Sequence, residues 1–196
     1  DDDVAGEDRW LTSLEHTGSP LERMQTLISY TEVSDEDYLR HLSTTGLEVK
    51  RSTHLPQVGQ VMYRFGDGWL ATAKAQQYQL LDRALAEPYK MLPRLELNHA
   101  FSGTPFAPDY ALVSEFTVFE HKDATELTGQ RLYLEPQVGF PMQWAAAFVR
   151  PMVGYQSISY SLEENLALGG DDEPSVGAPM ASLDSGYFLE RDTELF

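Results

Sequence analysis

The sequence predicts an α+β fold: a curved antiparallel sheet gripping a long C-terminal helix, with irregular N- and C-terminal extensions. Three observations carry that expectation. The segment TLISYTEVSDEDYLRHL (26–42) reads as a strand running into a capped helix, two alternating segments close into a hairpin over 111–136, and residues 140–166 place apolar side chains at helical spacing. A chain of 196 residues with 42% hydrophobic content suits one domain with extensions and supplies material for a core. The expected division is an N-terminal extension (1–25), an α+β domain (26–169) and an acidic C-terminal tail (170–196).

Residues 1–20 are polar and broken by Gly6, Gly18 and Pro20, with a short helix expected over 8–15 (DRWLTSLE). TLISYTEV (26–33) is rich in β-branched and aromatic residues, as a strand should be. Ser34 and Asp37 then approximate a capping box, and the acids of the following turn favour a helix start. GQVMYRF (59–65) reads as a strand ending at Gly66-Asp67-Gly68, where both glycines accept positive φ in a hairpin turn. As a phosphate-cradling loop this tripeptide lacks the helix that must follow. Within WLATAKAQQYQLLDRALAE (69–87), residues 74–87 suit a helix as well as a strand. Pro93 marks 89–98 as an edge strand, because it cannot donate to a ladder. In 111–123, Leu112, Ser114, Phe116 and Val118 share one face, while Val113, Glu115, Thr117 and Phe119 share the other. TELTGQRLYLEP (125–136) is the return strand.

Phe140, Trp144, Phe148, Met152, Tyr155, Ser159, Leu162 and Leu166 recur in steps of three and four, which predicts an amphipathic helix kinked by Pro151 and ended by Gly169-Gly170. Its polar face, with Gln143, Arg150, Ser157 and Glu164, rules out a bilayer-spanning helix, and no transmembrane segment is expected in these residues. Residues 171–196 read as an irregular tail that either folds back on the domain or docks on another subunit.

This order of elements resembles the helix-grip fold of the START-like superfamily, which includes polyketide cyclases and Bet v 1-like proteins. The residues that carry the resemblance are TLISYTEVSDEDYLRHLS, VGQVMYRF, VSEFTVFEHKDATELTGQRLYLEP and FVRPMVGYQSISYSLEENLALGG. It implies an apolar cavity for a hydrophobic small molecule or lipid. Trp144, Phe148, Met152 and Tyr155 would form one wall, and Tyr63, Phe65, Phe116 and Tyr133 the other.

The formal charge is −17, with lysine only at 50, 74, 90 and 122, so phosphate backbones would repel the chain and nucleic acid is not an expected partner. Solubility, adaptation to high salt or a basic partner each account for such charge. No cysteine is present, which removes disulfides, thiolate catalysis and cysteine metal sites. The histidines 16, 41, 54, 99 and 121 lack ligand spacing, and no nucleophile motif occurs; no cofactor, metal or catalytic residue is expected. The leading functional expectation is therefore a non-catalytic module holding a hydrophobic ligand. The alternative is an accessory subunit of a larger complex, at a membrane in one version, docking through 1–25 and 170–196. A cyclase or dehydratase type of enzyme is third. Compartment stays open: an N-terminal segment removed before Asp1 would make the chain exported or membrane-peripheral.

Overall fold

The computed structural model describes residues 9–38, 53–82, 85–123, 125–163 and 171–189. Most of them lie in one antiparallel meander: β1 (Leu11–Gly18), β2 (Met24–Val33), β3 (His54–Phe65), β4 (Trp69–Leu80), β5 (Lys90–Phe101), β6 (Asp109–Glu120), β7 (Gly129–Gly139), β8 (Met142–Gln143), β9 (Ala147–Leu162) and β10 (Ser175–Tyr187). Apart from the two-residue β8, which pairs only with β9, each strand pairs with the next in sequence, giving the order β1-β2-β3-β4-β5-β6-β7-β9-β10. The α+β helix-grip expectation is overturned, because among the described residues no long C-terminal helix lies on this sheet and 147–162 is a strand.

The physical reason is plain at 140–166. Phe140, Trp144, Phe148 and Met152 are four apart, and four residues is close to one helical turn but also two full periods of a strand. These four positions therefore suit both geometries, whereas the three-residue step from Met152 to Tyr155 changes face in a strand. What decides is the β-branched and aromatic content of β9, together with Pro151, which a helix interior excludes. In the strand, the Pro151 carbonyl accepts the Phe140 N–H at 3.0 Å. The irregular extensions are corrected in the same way. Leu11–Gly18 is strand β1, not a helix, and runs along β2 from Leu11↔Val33 to Gly18↔Thr26; Ser175–Tyr187 is strand β10, paired along thirteen positions of β9. Most of the capped helix expected after Ser34 lies outside the described residues; Ser34–Asp37 form a bend and a turn, and Tyr38 is helical.

The stretch 74–87, open between helix and strand on propensity, is strand as far as Leu80, aligned with β3 from Phe65↔Trp69 to His54↔Leu80. Nor is β5 an edge. It pairs on both sides, and Pro93 sits where the ladder to β6 shifts register, between Met91 and Arg94. A bulge is where a strand interior tolerates a proline. Gly66 (φ 53°) and Gly68 (φ 82°) make the β3–β4 turn, and a Cβ on Gly68 would lie 2.2 Å from the Ala100 carbonyl oxygen.

The meander separates two ends. At one, the connections 19–23, 66–68, 102–108 and 140–146 are three to seven residues long; at the other, 34–53, 81–89, 121–128 and 163–174 run from eight to twenty. Among the described residues the fully buried apolar side chains are only Val33, Leu55 and Leu81, a small cluster at the long-loop end against which Leu11 and Tyr38 pack. A water-soluble domain of this length buries far more.

Candidate membrane-facing surface and inner charge network

Directly paired residues in an antiparallel ladder point to the same side of the sheet, so the registers assign every side chain to a face. One face carries Leu14 and Ile28 on β1 and β2, Val61, Tyr63 and Phe65 on β3, and Trp69, Ala71 and Ala73 on β4. It continues through Leu95, Leu97 and Phe101 on β5, Tyr110, Leu112 and Phe116 on β6, Leu132, Leu134 and Val138 on β7, and Val153 and Tyr155 on β9, to Leu183 and Tyr187 on β10. Most of these are exposed: Leu95 by 43%, Leu134 by 37%, Val153 by 59%. Isolated apolar residues on a surface mean nothing, but a largely apolar face across nine strands, interrupted by residues such as Ser114 and Ser157, calls for another apolar phase against it.

That face ends at the short-turn side in a row of rings. Tyr63 stacks on Phe65 (centroids 6.1 Å apart), Phe65 on Trp69 (6.0 Å) and Trp69 on His99 (4.4 Å), and Phe101 meets Tyr110 at 6.4 Å. His99 Nε2 donates to the Asp67 carbonyl at 3.0 Å, which holds the hairpin tip against the row. Aromatic rows of this kind sit where hydrocarbon gives way to lipid headgroups.

The opposite face is polar. Glu115, with a side chain 14% exposed, accepts from Arg131 and from the Thr117 hydroxyl (2.9 Å) and pairs with Arg94 at 2.7 Å; Arg94 also reaches Glu96 at 2.8 Å. On β7 and β9, Tyr133 donates to Glu135, Gln137 donates to Glu135 (2.6 Å) and Gln156 donates to the Tyr133 hydroxyl (2.8 Å). A belt of ion pairs and hydrogen bonds thus crosses β5, β6, β7 and β9 and ties neighbouring strands together. A shallow depression of about 300 Å³ opens beside Glu115, Arg131, Tyr133 and Ile158.

At the long-loop end, Arg9 grips Asp35 with two hydrogen bonds (Nε–Oδ2 2.8 Å, Nη2–Oδ1 2.6 Å), and this holds the Asp35 carboxyl below its usual range. Nearby, the Gln79 side chain substitutes for a missing strand neighbour. Its amide donates to the Val33 carbonyl (2.7 Å) and its oxygen accepts the Val33 N–H (2.8 Å), where β2 has diverged from β3.

The eight residues expected to line one cavity do not converge. Tyr63, Phe65, Phe116 and Tyr155 lie on the apolar face, whereas Tyr133, Phe148 and Met152 lie on the polar one, and Trp144 is in the turn between β8 and β9. The Glu115 network is legible in the sequence only in part: Glu115 falls within a strand there, but the arginines lie on other strands, and only register joins them. Among the described residues no group of three metal-ligating side chains forms, and no helix is long and apolar enough to cross a membrane, a test that does not apply to strands.

A family model described as LptD, LPS transport system D, matches residues 7–196. The chain belongs to the LptD family. This replaces the START-like, helix-grip resemblance, which rested on an order of elements that the fold does not have. Relatives include LPS-assembly protein LptD of Aromatoleum aromaticum, 33% identical over 195 residues and covering 100% of this chain, and that of Pseudomonas savastanoi pv. phaseolicola, 31% identical over 218 residues and covering 96%. LPS-assembly protein LptD of Saccharophagus degradans is 30% identical over 95% of the chain. The chain spans about a quarter of the length of the LptD relatives it matches: 24%, 23% and 22% of these three.

Proposed function

We propose that this chain is an arc of the wall of a membrane-spanning β-barrel in the outer membrane, part of a machine that assembles lipopolysaccharide (LPS) there. The observation that carries the reading is the two-faced sheet: one side apolar, exposed and bordered by aromatic rings, the other lined with paired charges. Barrel walls have this construction because lipid wets one face and an aqueous interior the other. On β6 the outward residues run from Tyr110 to Val118 before Glu120. At about 3.4 Å per residue and a tilt of about 40°, they span roughly 21 Å, close to the apolar band of such barrels. Tyr63, Phe65, Phe116 and Tyr155 then contact lipid chains, and the Glu115 belt faces the interior. The cargo is inferred from the relatives, which are LPS-assembly proteins by name. This keeps the membrane-complex alternative of the sequence reading and drops the ligand cavity.

The test uses the full-length protein in phospholipid vesicles, with a fluorophore on single cysteines introduced at Leu134 or Gln137, on opposite faces of β7. Brominated acyl chains quench the label at 134 and spare that at 137; equal quenching would sink the wall reading. A photo-crosslinking residue at Tyr133 that captures LPS in cells supports the cargo, and one that captures none removes the cargo while leaving the wall.

A further inference from the structure

One of the short turns is built in an unusual way. In Thr104-Pro105-Phe106-Ala107 the Ala107 N–H reaches the Thr104 carbonyl (2.9 Å), and Phe106 has φ 69°. Proline followed by a left-handed residue is the pattern of a type II turn, whose third position favours glycine. Here a phenylalanine occupies it, an outlier for a bulky side chain. Local stability does not call for it, since glycine would fit without strain. The ring is also half exposed.

The ring is held in place all the same. It packs edge-on against Trp144 of the 140–146 turn (centroids 5.4 Å apart, planes at 77°), and the Phe106 N–H donates to the Pro141 carbonyl at 2.8 Å. The two turns are thereby clipped together, with Phe106, Trp144 and Phe140 all exposed. They continue past the Phe101–Tyr110 pair that closes the β5–β6 hairpin at the aromatic row. Neither SGTPFAP (102–108) nor FPMQWAA (140–146) carries a charge, in a chain of net charge −17.

We propose that these clipped turns are an interfacial anchor: Phe106, Trp144 and Phe140 lie among the lipid headgroups of the leaflet at the short-turn end and fix the depth of the sheet. The occupant is the lipid surface rather than a protein, for two reasons. The patch continues the aromatic row of the membrane-facing surface, and it has no charge with which to select a polar partner. The inference rests on the wall reading and deepens it.

Spin labels on cysteines introduced at Thr104, Gln143 and Leu134 of the full-length protein in phospholipid vesicles test it, with depth read from the balance of oxygen and nickel-chelate relaxation. Interfacial depth at 104 and 143 with a deep Leu134 label supports the anchor. Aqueous labels at 104 and 143 with a deep Leu134 label overturn the anchor alone, and an aqueous Leu134 label overturns the wall as well. Labels at 104 and 143 that become immobile only when a second protein is added also overturn it. Phe106→Gly gives an independent readout. It raises the unfolding midpoint in detergent by relieving the turn, yet lowers partitioning into vesicles about tenfold or more, the scale of transferring one phenyl ring out of water. The same change in both media would mean that the ring serves only the turn.

Discussion

Placing a charge at Leu134 probes the membrane reading most directly. Leu134 faces outward between Ser114 of β6 and Ser157 of β9. Along β7 it lies four residues from Val138, near the aromatic row, and four from Gln130, where the outward face turns polar. With a climb of about 2.6 Å per residue, both boundaries are roughly 10 Å away, so Leu134 sits near the midplane. An arginine there should cost about 2–4 kcal/mol, a factor of roughly 30 to 1,000 in the folding equilibrium. Val138→Arg, closer to headgroups, should cost about 0–1 kcal/mol. Gln137→Arg, on the inner face beside Glu135, should stay within about 0.5 kcal/mol of the parent. The assay is reversible urea unfolding of the full-length protein in vesicles, followed by tryptophan emission. Equal costs at 134, 138 and 137, or a gain in stability from Leu134→Arg, would refute the assignment of faces and depth.

Three further outcomes follow from other parts of the sheet. Gln79→Ala leaves the Val33 N–H and carbonyl without their partner beside the small core; it should cost about 1–3 kcal/mol per orphaned group, read as a shift in the urea midpoint, while Gln77→Ala should cost less. Gly129→Ala places a methyl 2.3 Å from the Ser161 carbonyl oxygen at φ 147°, and should lower the unfolding free energy by more than about 2 kcal/mol or prevent β7–β9 pairing, visible as lost hydrogen-exchange protection on both strands. For Asp35, Arg9 depresses the folded-state pKa, so its contribution is present above the unfolded aspartate value of about 3.9 and is lost as pH falls through the lower folded value. Because Asp35 is 41% exposed, the effect is at most about 1 kcal/mol. Unfolding scans between about pH 6 and pH 2 should show this loss in the parent and not in Asp35→Asn.

Much of the sheet was legible in the sequence. TLISYTEV and VGQVMYRF announce strands by composition, Gly66-Asp67-Gly68 announces a hairpin, and the two faces of 111–118 separate as the register later places them. Two kinds of information were not legible. β10 (SVGAPMASLDSGY) has little strand propensity, and its form comes from the ladder with β9, which is a tertiary cause. The solvent of a face is not written in the alternation either. Phe116, Leu132 and Leu134 would show the same pattern whether they lay under a helix or against lipid, and the usual search for a run of about 20 apolar residues cannot detect a strand that alternates. The aromatic residues are conspicuous in the sequence, but there they read as the walls of a pocket. Parity along each strand would have parted Tyr133 from Phe116 once β6 and β7 were aligned.

The strictly sequential order of the meander reaches beyond its final shape. No strand waits for a distant one: β2 needs β1, β3 needs β2, and so on to β10, through connections of which the longest has twenty residues. Closing such contacts costs little chain entropy at each step, so the sheet can grow by one hairpin at a time as the chain is delivered, with a single open edge advancing. The same architecture makes length a free variable. A hairpin duplicated between β4 and β5 would need new partners only at its two flanks, leaving every other register intact, so walls of different circumference are neighbours in sequence space rather than separate inventions.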